Sequence, residues 1–248
     1  ASALADGSHT VSVTDTDGAG NTGTASVSFT LDTKLTAPTV SLTTDSGKPG
    51  DGLTNNAGLT FNTADSDATR VITVDGKVVN SYDASALADG SHTVSVTDTD
   101  GAGNTGTASV SFVLDTKLTA PTVSLTTDSG KPGDGLTNNA GLNFNTADSD
   151  ATRVITVDGK VVNSYDASAL ADGSHTVSVT DTDGAGNTGT ASVSFTLDTK
   201  LTAPSVSLTT DSGKPGDGLT NNAGLTFNTA DSDATRVITV DGKVVNSY

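Results

Sequence analysis

From Thr39 to Leu114 apolar residues recur at every second position in short runs: Val40 and Leu42, Leu59 and Phe61, Ile72 and Val74, Val94 and Val96, then Val110, Phe112 and Leu114. The positions between them are mostly Ser and Thr. A period of two with β-branched residues and no helical spacing predicts antiparallel strands, each apolar on one face and hydroxylated on the other. Clusters of Gly, Asp, Asn and Pro separate the runs, as turns require. The pattern predicts seven strands: A over Thr39–Thr44, B over Leu59–Thr63, C over Thr69–Val74, C′ over Lys77–Ser81, a short E near Ala84–Leu87, F over His92–Thr97 and G over Thr105–Leu114. Val74-Asp75-Gly76-Lys77 predicts a two-residue type I′ hairpin, because Asp-Gly supplies the positive φ angles that this turn demands, so C and C′ are neighbours. Pro38 fixes its own φ and biases Ala37 toward extended geometry, which makes the connection from Leu31 to Pro38 short and stiff. One-sided strands of this length bury their apolar faces by packing as a sandwich.

The pattern then repeats. The segment beginning at Ala1 returns at Ala84 and at Ala167, a period of 83 residues. The copies differ at few positions, among them Thr30 against Val113, Thr60 against Asn143 and Thr122 against Ser205. Such a period exceeds that of a solenoid turn or a propeller blade and fits a small autonomous domain. It divides the chain into the C-terminal half of a copy at 1–31, complete copies at 32–114 and 115–197, and the N-terminal half of a copy at 198–248. Neither half has the facing sheet that would cover it, so neither is expected to close alone. The expectation is a window on a continuous array, in which the end of one chain completes the start of the next. The absence of a starting Met and of a signal peptide points the same way.

Composition changes the picture in one respect. Each copy holds two Phe and one Tyr, with no Trp, Met or Cys, a thin core for a domain of this size. No disulfide is available, and a bound metal is the remaining common staple. The acidic residues number 29, all Asp, against 12 Lys and Arg, for a net charge of −17. Short carboxylates in turns are hard oxygen ligands suited to calcium. Nucleic acid is excluded as a partner by the lack of a basic patch, and membrane insertion by the lack of a long apolar run.

The linker Asp32-Thr33-Lys34-Leu35-Thr36-Ala37-Pro38, the loop Asp45-Ser46-Gly47 and the turn Asp98-Thr99-Asp100-Gly101-Ala102-Gly103-Asn104, at fixed offsets along the whole chain, resemble the bacterial Ig-like extender repeats of giant repeats-in-toxin adhesins. The resemblance implies an all-β fold of tandem seven-stranded, Greek-key, Ig-like β-sandwiches set end to end as a rod. It further implies a calcium-dependent spacer outside the cell, on a bacterial surface, exported by a type I system. In such a sandwich the A–B loop lies at the pole opposite the B–C and F–G loops, so each junction gathers loops from two copies. The middle junction is expected to offer Asp45 and Asp51 from one A–B loop and Asp115 from the linker. The next copy adds Asp181, Asp183 and Asn187 from its F–G turn, with Asp148 and Asp150 of its B–C loop nearby. The junction at Asp32 offers Asp98, Asp100 and Asn104, and that at Asp198 offers Asp128 and Asp134. With backbone carbonyls these suffice for the six to eight oxygens that calcium takes. Asp and Gly also make turns unaided, through the Asp side chain's own hydrogen bonds. Gathering several carboxylates without a cation, however, costs about 1 kcal/mol per close pair even in water.

Other chemistry is less well supported. Ser91 and His92 are adjacent on a strand and face opposite ways, so they make no nucleophile and base pair, and no enzyme or small-molecule substrate is expected. The single Arg of each copy, Arg70 and its equivalents Arg153 and Arg236, should pair with a nearby Asp. Lys48 is followed by Pro49 with no helix beyond, which excludes a phosphate loop. An EF-hand fails because Ala102 takes the fifth place and Ser109 the place of the bidentate Glu. The expected partners are neighbouring identical repeats. The alternative is an adhesive module that binds glycan, ice or protein through its Ser/Thr faces, but it lacks the aromatic platforms that such sites use.

Overall fold

The computed structural model describes residues 4–245; residues 1–3 and 246–248, the outer ends of the two partial copies, lie outside the described residues. The chain divides into two compact units. One holds the described residues up to Val123 with Phe144–Asn163 and Ser178–Ser192; the other holds Ser124–Asn143, Ser164–Val177 and the described residues from Val193 on.

The first unit opens with β1 (Gly7–Thr16) and β2 (Thr22–Leu31), an antiparallel pair in register from Gly7 opposite Leu31 to Thr16 opposite Thr22. The copy from Asp32 to Leu114 follows, with β3 (Val40–Leu42), β4 (Leu53–Thr54), β5 (Leu59–Phe61), β6 (Thr69–Val74), β7 (Lys77–Val79), β8 (Gly90–Thr99) and β9 (Thr105–Leu114). β3 pairs with β5 in a two-stranded sheet, and the order β4-β9-β8-β6-β7 makes a five-stranded one. The predicted hairpin is present: Asp75 and Gly76 have φ of 50° and 76°, and Val74 faces Lys77.

Two features depart from the sequence pattern. Residues 84–86 form a single 3₁₀ turn instead of strand E, because the Asp83 carboxylate accepts the Ser85 amide at 2.9 Å and caps the turn. The seventh strand is β4, which pairs in parallel with the end of β9, Leu53 beside Val113 and Thr54 beside Leu114. Strands A, B and C′ are also shorter than predicted, and F is longer at both ends.

Val94 and Val96 are fully buried, with Phe112, Leu114 and Ala57 nearly so. Leu42, Leu59, Phe61, Ile72, Val74, Tyr82, Leu87 and Val110 pack around Val94, Phe112, Leu114 and Ala57 from both sheets. β1 and β2 share the sequence of β8 and β9 apart from Thr30, yet Val11 and Val13 are 53% and 58% exposed where Val94 and Val96 are 0%. Burial here comes from the facing sheet, and among the described residues none lies over β1–β2.

The third copy repeats the elements as β10 (Val123–Leu125), β11 (Leu136–Thr137), β12 (Leu142–Phe144), β13 (Thr152–Val157), β14 (Lys160–Val162), β15 (Gly173–Thr182) and β16 (Thr188–Leu197), with sheets β10-β12 and β11-β16-β15-β13-β14. The last part carries β17 (Val206–Leu208) paired with β18 (Leu225–Phe227), and β19 (Ile238–Val240) paired with β20 (Lys243–Val245). These are sandwich sheets of tandem Ig-like type.

Candidate metal-binding junction

The F–G turn between β8 and β9 is organised by one carboxylate. Asp100 accepts the amides of Ala102 at 3.0 Å and Asn104 at 2.8 Å, and the Asn104 side-chain amide at 2.8 Å. Only a side chain one methylene long reaches back onto its own loop in this way. The Asn104 amide, foremost, holds the Asp100 carboxyl below its ordinary range. In the next copy Asp183 accepts the backbone and side-chain amides of Asn187, each at 2.8 Å. The Asn side chain also reaches the linker, donating to the carbonyl of Asp32 at 3.1 Å from Asn104 and to that of Asp115 at 2.9 Å from Asn187. The Asp32, Asp115 and Asp198 carboxylates turn onto the amide two residues ahead, of Lys34, Lys117 and Lys200, each at 3.0 Å.

Asp98 and Asp181 are fully buried, and both oxygens of each are held by arginine. Arg70 donates to Asp98 from Nε at 2.8 Å and Nη2 at 2.6 Å, and Arg153 engages Asp181 likewise. Each guanidinium also donates to a backbone carbonyl, of Asn62 or Asn145. The Asp98 carboxylate, as the main cause, pushes the Arg70 guanidinium up from its ordinary value. Asp148 accepts the Thr119 amide at 2.7 Å, which lowers its pKa, and Asp150 is exposed.

In the A–B loop Asp45 Oδ2 accepts the Gly50 amide at 2.6 Å, and Asp51 accepts that of Leu53 at 3.0 Å. Asp128 and Asp134 do the same for Gly133 and Leu136. The second oxygen of Asp45, and those of Asp128 and Asp211, is buried without a hydrogen-bond partner. At the middle junction, inside the first unit, the A–B loop of one copy reaches the F–G turn of the next, and Ser46 Oγ donates to the Ala185 carbonyl at 2.6 Å. Ala185 is 0% exposed, while its equivalent Ala102 is exposed. The orphan Asp45 oxygen suits a cation, but among the described residues no three Asp or His side chains gather in a metal-holding cluster. Calcium would therefore draw on that oxygen and on backbone carbonyls.

One set of functional residues escaped the sequence reading. Asp89, in the turn before β8, accepts the Thr116 amide at 3.0 Å, the Thr116 hydroxyl at 2.7 Å and Lys117 Nζ at 2.6 Å. Asp6 and Asp172 hold Thr33 and Thr199 in the same way. The only signal is the constant recurrence of Leu-Ala-Asp-Gly with its Asp 27 residues before the Thr of each linker Asp-Thr-Lys.

The bacterial Ig-like domain family model matches residues 1–33, 34–116 and 117–199, and a second, the bacterial Ig-like domain of group 3, matches 159–243. No curated protein matches the sequence. Among solved structures, a tetra-tandem repeat in the extending region of a large adhesion protein is 30% identical over 84% of this chain and 61% of its own, with a TM-score of 0.32. A Ca2+-stabilized adhesin of an Antarctic bacterium is 26% identical over 81% of this chain and 59% of its own, with a TM-score of 0.30. A bacterial ice-binding adhesin is 25% identical over 78% and 74%, with a TM-score of 0.32. The chain thus spans about three fifths of the first of these structures. With three successive matches to one family model covering most of its length, the chain belongs to the bacterial Ig-like domain family.

Proposed function

We propose that this chain is a spacer segment of a large adhesin on a bacterial cell surface, with joints held by calcium so that the array projects a distal ligand-binding domain. The observation that carries the reading is the linker from Asp115 to Thr122. Its first residues are bound to the copy before: the Asp115 amide donates to the Thr54 carbonyl at 2.9 Å, and Thr116 and Lys117 hold Asp89. Its last residues are bound to the copy after: Thr119 donates to Asp148, Thr122 to Asn145 at 2.8 Å, and Pro121 is buried against Gly189. A linker that served free domain motion would leave these groups to water. The partners are the neighbouring repeats themselves.

Calcium is supported by the orphan oxygen of Asp45 beside the Ser46 contact. At a Kd of about 0.1 mM and about 1 to 10 mM free calcium, each site adds roughly 1.5 to 2.7 kcal/mol to the bound arrangement. Removing calcium is therefore expected to lower the melting temperature. Titration of EDTA-stripped protein with calcium that releases no heat, together with an unchanged melting temperature, sinks the calcium half of the reading. The adhesive alternative fares less well on the outer face of β8–β9. There the hydroxyls satisfy one another, Thr93 with Ser111 at 2.9 Å and Thr97 with Thr107 at 3.1 Å, which leaves less for a ligand.

A further inference from the structure

We infer that the joint is keyed by direct backbone packing that needs no ion: the loop from Ser46 to Leu53 is a seat for the Gly184-Ala185-Gly186 turn of the copy that follows. The inference rests on the spacer reading but not on its calcium half.

Three glycines bring the two backbones together. A Cβ on Gly47 would run into the carbonyl oxygen of Gly184, and one on Gly186 would stand 2.8 Å from the Gly47 nitrogen. A Cβ on Gly184 would meet Leu53 Cδ2 at 3.0 Å. Real Cβ atoms do not sit this close to backbone, so no side chain fits at Gly47 or Gly186 without parting the copies. Ser46 closes the contact through its hydrogen bond to the Ala185 carbonyl, and the Ala185 methyl is fully buried. The chain supplies its own control. Gly130 and Gly103 are the equivalents of Gly47 and Gly186, with φ of 79° and 91° against 73° and 88°, yet a Cβ on either meets nothing within 4 Å. The left-handed backbone is thus a property of the loop and the turn, while the contact belongs to the joint. Every complete copy carries both halves, so the partner that fits the seat is the F–G turn of a second copy of this sequence.

The chain contains no Cys, so Val78→Cys and Val161→Cys, at exposed equivalent positions of successive copies, accept spin labels cleanly. In the full chain in EDTA, the distance between them is expected to show one narrow distribution. Gly47→Ala and Gly186→Ala should abolish the narrow distribution, whereas Gly130→Ala and Gly103→Ala, with the same backbone strain but no clash, should preserve it. Gly184→Val tests the seat at a glycine outside the left-handed region, against Gly101→Val. The key falls if the unsubstituted joint is broad in EDTA, or if each junction variant matches its control. A joint broad in EDTA and narrow in calcium leaves the calcium reading standing alone. A joint narrow in both and loosened only by the junction variants leaves the key standing alone.

Discussion

Asp serves this protein as a short tool for holding amides and guanidinium groups. At Asp98 the tool is buried, with both oxygens taken by Arg70, whose side chain is 19% exposed. Removing one partner leaves an uncompensated charge in the interior, so Arg70→Met should destabilise its copy by about 3 kcal/mol. A urea midpoint unchanged from the parent would contradict that. Asp15, the equivalent on β1, is exposed, and Asp15→Asn should stay within about 0.5 kcal/mol. His92 makes a second residue-scale prediction. Its Nδ1 faces Asp75 Oδ2 at 2.8 Å and its Nε2 faces the Ala88 carbonyl at 2.7 Å, both acceptors, so only the doubly protonated ring satisfies both. The Ala88 carbonyl, then the Asp75 carboxylate, raises the His92 pKa. A raised folded value stabilises fully below the unfolded pKa of about 6.5 and is lost as pH climbs through the folded one. Melting temperatures should therefore fall from about pH 6 to about pH 8, by less in Asp75→Ala, and the His92 ring should titrate above its ordinary value by NMR.

At the scale of elements, the strands that alternate over several residues were legible, and those set by distant partners were not. Val94 and Val96, Phe112 and Leu114, and the Asp75-Gly76 hairpin all lie where the period and the turn chemistry put them. β4 is two residues long, Leu53–Thr54, and exists because the end of β9 passes beside it; two residues display no period. Ala84-Ser85-Ala86 carries equally little pattern, and the Asp83 cap decides it. Tyr82 was not placed in the core from sequence, yet it packs edge-on to Phe61 with ring centroids 6.0 Å apart, and its hydroxyl donates to the Ala57 carbonyl. That bond ties the approach to the 3₁₀ turn to the start of β5. Tyr82→Phe keeps the ring and strands a half-covered carbonyl, at a cost of about 1 kcal/mol. A thermal melt that matches the parent would show that water replaces the hydroxyl without loss.

For the molecule as a whole, much of the all-Asp acidic composition serves turns and linkers. Spacing alone could not reveal that Asp89 and Asp172 reach 27 residues ahead to the linker threonine, because the topology of β8–β9 and β15–β16 brings those positions together. These attachments give the array an acid limit. Asp172 is held down to about 2, first by the Thr199 hydroxyl and then by Lys200. Asp89 is lowered by Lys117 and Thr116. For a depressed carboxyl the contribution is whole above the unfolded pKa of about 3.9 and disappears as pH falls through the folded value. Between about pH 4 and pH 2, carboxylates with ordinary values become neutral and the self-repulsion of the acidic chain drops, while Asp172 still holds its linker. The Lys200 side chain is 83% exposed, so its ion pair should add little, and the threonine should matter more. NMR titration of the Asp172 carboxyl carbon should accordingly show a midpoint that rises clearly toward the ordinary value in Thr199→Val and only slightly in Lys200→Ala. The reverse order would mean that charge, not the short Asp–Thr hydrogen bonds, fastens the linker to the copy before it.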